Sequence, residues 1–123
     1  MAKRVLIVDD EPNIVISLEY LMKKAGFDVA VAADGDAALV QLRSFRPDLV
    51  LLDIMMPNKS GYEVCESVRA DPDSAGIRIV MLTAKGRDFE VAKGMALGAD
   101  AYVTKPFSTK DLVTLVKALL DVR

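Results

Sequence analysis

Five short apolar runs alternate with five helical patterns, and this alternation limits the available folds more than any other feature of the chain. The runs are "RVLIVD" at 4–9, "DVAVAA" at 28–33, "DLVLLD" at 48–53, "IRIVMLT" at 77–83 and "AYVTK" at 101–105. Their apolar residues are continuous rather than alternating, which suits strands covered on both faces, as in a parallel sheet. Between the first two runs, Val15, Leu18, Leu21 and Met22 fall on one stripe of a helix predicted over 12–24. Pro12 suits its first turn and Gly26 its stop. Further helices are predicted over 36–45, 62–69, 88–97 and 109–120. The last carries Leu112, Leu115, Val116 and Leu119 on its stripe, with Ser108 as cap and Asp111 as the acid of a capping box. The pattern predicts an α/β domain, a doubly wound five-stranded parallel sheet flanked by five helices. At 123 residues there is room for one domain. The sequence reads as a single unit over 1–123, with no output domain after the last helix.

Composition removes several classes of chemistry. Histidine is absent and Cys65 is the single cysteine. Histidine-based triads, imidazole-ligated zinc and internal disulfides are therefore excluded. Any metal site must use oxygen ligands, which favours hard cations such as magnesium, manganese or calcium. Cys65 reads as a small packing residue in a reducing compartment. A net charge of −2 leads us to expect no direct nucleic-acid binding. No apolar run is long enough to span a bilayer and the N-terminus is unlike a signal peptide, so a cytoplasmic location and no membrane contact are expected.

In open parallel sheets, ligands sit beyond the carboxyl ends of the strands. Asp9 and Asp10 follow the first run, Asp53 ends the third, Thr83 ends the fourth with Ala84 next, and Lys105 ends the fifth before Pro106. A single acid after a strand is usually a cap or loop residue. Five polar groups at four strand ends are not explained by capping. Two carboxylates about 4 Å apart repel by roughly 4 kcal/mol at an effective dielectric near 20. Three together raise one another's pKa or recruit a cation. A carboxylate beside magnesium, a hydroxyl and an ammonium is equipped to take a phosphoryl group.

Over nearly its whole length the chain resembles the receiver domain of bacterial two-component response regulators. The matching pieces are "VLIVDDEP", "PDLVLLDIMMPNKSGYE", "VMLTA" and "GADAYVTKPF". The resemblance implies a flavodoxin-like sheet in the order 2-1-3-4-5 and a phosphoacceptor at Asp53, served by a sensor histidine kinase or phosphotransfer protein. It implies magnesium held by Asp10, Asp53 and the Met55 carbonyl, with Asp9 on a metal-bound water. Thr83, Ala84 and Lys105 would contact the phosphoryl group, and the Lys105–Pro106 bond would be cis. Thr83 and Tyr102 would form the switch that remodels the face of the fourth helix, fifth strand and fifth helix toward an unknown downstream protein. Met55 and Lys85 lie where side chains tune phosphoryl loss, and neither suits positioning a water. Ser60 is expected to have only a local turn effect. Nothing in the sequence requires more than a monomer or a weak dimer.

Three rivals are weaker. A haloacid-dehalogenase-type phosphatase needs an acid where Met55 stands. A dinucleotide-binding domain needs a glycine-rich first turn where "DDEPN" stands. A receiver that binds partners without phosphorylation has no use for the full set of acids, threonine and lysine.

Overall fold

The apolar runs fold into one parallel sheet. In this computed structural model, which describes residues 2–56, 58–84 and 88–122, the strands are β1 (Arg4–Val8), β2 (Asp28–Ala32), β3 (Leu49–Asp53), β4 (Arg78–Ala84) and β5 (Ala101–Lys105). The helices are α1 (Pro12–Lys24), α2 (Gly35–Ser44), α3 (Gly61–Ala70), α4 (Asp88–Ala96) and α5 (Thr109–Leu119). The strand order is β2-β1-β3-β4-β5. Val8 pairs with Ala32 on one side and Leu52 on the other, Asp53 with Leu82, and Ala84 with Lys105. This register brings the carboxyl ends of β1, β3, β4 and β5 to one edge.

Successive strand residues point to opposite faces and so build two cores. Leu6, Val8, Val50, Leu52, Ile79 and Met81 pack with Ala38, Val64, Cys65 and Val68. Val5, Ile7, Leu49, Leu51, Val80 and Leu82 pack with Leu18, Met22, Leu112 and Val116. Each fully buried Leu, Ile or Val contributes about 1.5–3 kcal/mol relative to exposure. The expectation that all five strands are covered on both faces holds for the central three. β2 and β5 are edge strands and stay half-buried.

Local signals set the helix ends. Pro12 occupies the first turn of α1, and Gly26, at φ 97°, takes the left-handed backbone that ends it. Asp34 caps α2 by accepting from the Ala37 N–H. Ser108 caps α5 through the Asp111 N–H, but among the described residues the Asp111 carboxylate does not return the bond. Aspartate is one methylene shorter than the glutamate that closes a capping box. The complete box stands instead at α3, between Ser60 and Glu63.

Candidate functional site

Asp53 ends a strand buried over its whole length and is itself only 6% exposed. Asp9, fully buried, follows β1 and accepts a hydrogen bond from the Glu11 N–H. Asp10 is exposed beside it. Asp9, Asp10 and Asp53 each offer an oxygen, and these oxygens lie within 4.8 Å of one another. Lys105 reaches across from β5. Its Nζ lies 2.8 Å from Asp9, 3.5 Å from Glu11 and 3.7 Å from Asp53.

The backbone makes room for this pocket at Gly61. A Cβ there would run into the Asp53 carbonyl oxygen and the Ile54 Cα. The Gly61 N–H also bonds the Ile54 carbonyl at 2.9 Å, closing the loop that leaves β3.

Burial pushes the Asp53 carboxyl up to about 7, and the Asp9 charge pushes the same way. Lys105 and the Met55 backbone N–H only partly offset this. Burial acts to lower the Lys105 pKa, but its hydrogen bond to Asp9 and the charges of Asp53, Asp9 and Glu11 outweigh that and raise it. The cluster therefore lacks positive charge even with the lysine in place. Three converging carboxylates with no nitrogen or sulfur donor fit a hard divalent cation.

Of the other sequence-derived positions, Thr83 and Ala84 close β4 at the same edge, while Tyr102 stands earlier on β5, opposite Met81. Thr83 is buried near the end of β4, one residue past the partner of Asp53. Its Oγ1 donates toward the Ala84 carbonyl and Glu90 Oε1, each at 3.4 Å. Ala84 is exposed at the strand end. The Met55 side chain points to solvent. The Lys105–Pro106 peptide is cis. Tyr102 is 49% exposed on the edge strand. Lys85 lies outside the described residues.

Two residues escaped the sequence reading. Glu11 joins the Lys105 ion pairs, and its signal was its place in "DDEP". Glu90 is buried on α4 against Thr83. Its signal was helical phase, since Gly94, one turn on, packs closely against Met81.

An oxygen-lined acidic cluster at the carboxyl edge of a 2-1-3-4-5 sheet fits a domain of phosphorylation-based signalling. The chain belongs to the response regulator receiver domain family, whose model matches residues 5–117. It is 48% identical to the DNA-binding response regulator MtrA of Mycolicibacterium smegmatis, covering 98% of this chain and 51% of that protein. It is 44% identical to the alkaline phosphatase synthesis transcriptional regulatory protein PhoP of Bacillus subtilis, covering 98% and 49%. The chemotaxis response regulator CheY4 of Vibrio cholerae superposes with a TM-score of 0.90 at 30% identity, covering 97% of this chain and 99% of that one. The protein is thus a receiver of phosphorylation-based, two-component signal transduction.

One expectation is overturned. Low net charge argued against direct nucleic-acid binding, yet the MtrA relative is a DNA-binding response regulator. The chain spans about half the length of the curated relatives it matches. A charge sum over these 123 residues bears only on surfaces that they themselves supply. No helix among the described residues is long and apolar enough to cross a membrane.

Proposed function

We propose that Asp53 is the phosphoacceptor and that Asp9, Asp10, Asp53 and the Met55 carbonyl form a magnesium site beside it. The observation that carries this reading is the burial of Asp53 at a strand end, with Asp9 and Asp10 oxygens within 4.8 Å and Lys105 at 3.7 Å. Asp53 Oδ attacks the phosphorus of a phosphohistidine or a small acyl phosphate. A P–O bond to the carboxylate forms as the bond to the leaving group breaks, giving an acyl phosphate. Magnesium supplies charge that holds Asp53 ionised and offsets the phosphoryl oxygens. Lys105 pairs with the phosphoryl group, and the Thr83 hydroxyl and the Ala84 N–H donate to it. With no histidine in the chain, a phosphohistidine donor is another protein, a sensor kinase or phosphotransfer protein.

Thr83 and Tyr102 act as the switch. When Thr83 turns toward the phosphoryl group, Tyr102 moves inward from its exposed position and reshapes the face it shares with α4 and α5. The product is a modified state of the chain, so the reaction is signalling rather than turnover. A cytoplasmic location accompanies this role.

Intact-protein mass after incubation with acetyl phosphate tests the assignment. We expect one phosphoryl adduct on the wild type with magnesium, none without it, and none on Asp53→Asn. An adduct that persists on the variant would assign the acceptor to another carboxylate.

A further inference from the structure

The β3–α3 loop, described at 54–56 and 58–60, carries the Met55 carbonyl and is held from two sides at those residues. On one side, its own stem closes through the Gly61 N–H on the Ile54 carbonyl. On the other side, it leans on the start of α2. Asp34 Oδ1 accepts from the Ala37 N–H at 2.8 Å and so caps α2. Its second oxygen, Oδ2, accepts from Asn58 Nδ2 at 3.1 Å. One carboxylate therefore grips a helix end with one oxygen and the loop with the other. The two backbones are also in close contact here. A Cβ on Gly35 would run into the Lys59 side chain and carbonyl. Asn58 sits at φ 67°, in the left-handed region that asparagine and aspartate both tolerate.

We infer that Asp34 and Asn58 are positioning residues for the cation site: their hydrogen bond braces the β3–α3 loop against α2 and thereby sets the affinity of the acidic pocket for magnesium. This rests on the reading of that pocket given above, with the Met55 carbonyl among the ligands. A carbonyl on a braced loop is already in place when the cation arrives. Without the brace, cation binding must also order the loop, and affinity falls by the cost of that ordering.

The chemistry of the pair allows a test in which electrostatics and bracing predict opposite signs. Asn58→Asp sets two carboxylates against each other and removes the amide donor, while the backbone preference is kept. The added negative charge acting alone would tighten cation binding. Loss of the brace weakens it, by about three- to tenfold for one hydrogen bond of ordinary net strength. Asp34→Asn keeps the cap, because asparagine caps as well as aspartate. The Asn58 amide can turn over to accept from the new amide, so this variant stays near wild type. In Asp34→Asn/Asn58→Asp the amide at 34 caps Ala37 with its oxygen and donates to the carboxylate at 58. Net charge equals that of the wild type, and affinity returns.

The experiment is titration of magnesium into the full chain by calorimetry, with thermal unfolding of each metal-free variant beside it. The expected result is weak binding in Asn58→Asp and recovery in the double variant. Asn58→Gly keeps the left-handed backbone, removes the amide without adding charge, and weakens binding in the same direction. Unchanged affinity in Asn58→Gly, even with a lowered Tm, overturns the inference and leaves the pair a purely structural contact. A double variant as weak as Asn58→Asp also overturns it. Failure of the wild type to bind magnesium overturns the reading of the pocket itself, and the inference with it.

Discussion

Charge at Asp53 is costly where the residue stands, and that cost should appear in stability. Burial, with the Asp9 charge beside it, pushes the Asp53 carboxyl up to about 7 in the folded chain from an ordinary value of 3.8. Protonation therefore favours the folded state between these two values. The contribution is fully present below about 4 and is lost as pH rises through 7. Asp53→Asn removes the titration. In metal-free buffer the variant is expected to be more stable than the wild type at pH 8, by up to about 4 kcal/mol. The gain should shrink through pH 6 and vanish near pH 4. Denaturant unfolding at these pH values in the presence of a chelator checks it, and an equal gain at pH 4 and pH 8 would rule out titration of Asp53 as the cause. Asp53 was legible in the sequence because an apolar run that ends in an acid has few uses. Its neighbour Glu11 was not, since an exposed acid at a helix start is the commonest of surface features.

Helix ends show both how far local sequence can be read and where it stops. Pro12 and Gly26 act on their own backbone, so their roles follow from residue type alone. A capping box also depends on side-chain reach. The box expected at Ser108 is half-formed, while the complete one at Ser60 lay in a stretch read only as a turn. Ser60 Oγ accepts from the Glu63 N–H at 3.3 Å, and Glu63 Oε1 accepts from the Ser60 N–H at 3.5 Å. Ser60 thus starts α3 directly after the loop that leaves the acidic pocket. Ser60→Ala should cost about 1 kcal/mol, and Ser60→Asp should be close to neutral because aspartate caps equally well. Urea midpoints at constant m separate the two outcomes. Equal losses in both variants would show that the hydroxyl is not acting as a cap.

At the scale of the whole molecule, the fold was legible because a parallel sheet records itself in the sequence as continuous apolar runs at regular spacing. What local reading misses is contact between distant segments. Nothing local joins Asp34 to Asn58 or Thr83 to Glu90. Such contacts decide how α4 is attached. α1 buries Leu18 and Met22 and α5 buries Leu112 and Val116, whereas α4 buries Glu90 and Gly94 and no large apolar side chain. Its polar attachments include the Thr83 hydroxyl on Glu90 at 3.4 Å, the Tyr62 hydroxyl on the Glu90 carbonyl at 3.3 Å and Lys93 over the Tyr62 ring at 4.4 Å. An element with so little apolar anchorage opens at low free energy. The amides of α4 should therefore exchange with solvent faster than those of α1 and α5 before any modification. Phosphorylation at Asp53 should widen the gap, because a Thr83 hydroxyl drawn to the phosphoryl group is one donor fewer for the buried Glu90. Hydrogen exchange followed by mass spectrometry, with and without acetyl phosphate and magnesium, reads both effects. Protection of α4 equal to that of α5 in the unmodified chain would show that its polar contacts hold it as firmly as an apolar stripe. Unchanged α4 protection on phosphorylation would place the path from Asp53 to the partner face elsewhere than through Thr83 and Glu90.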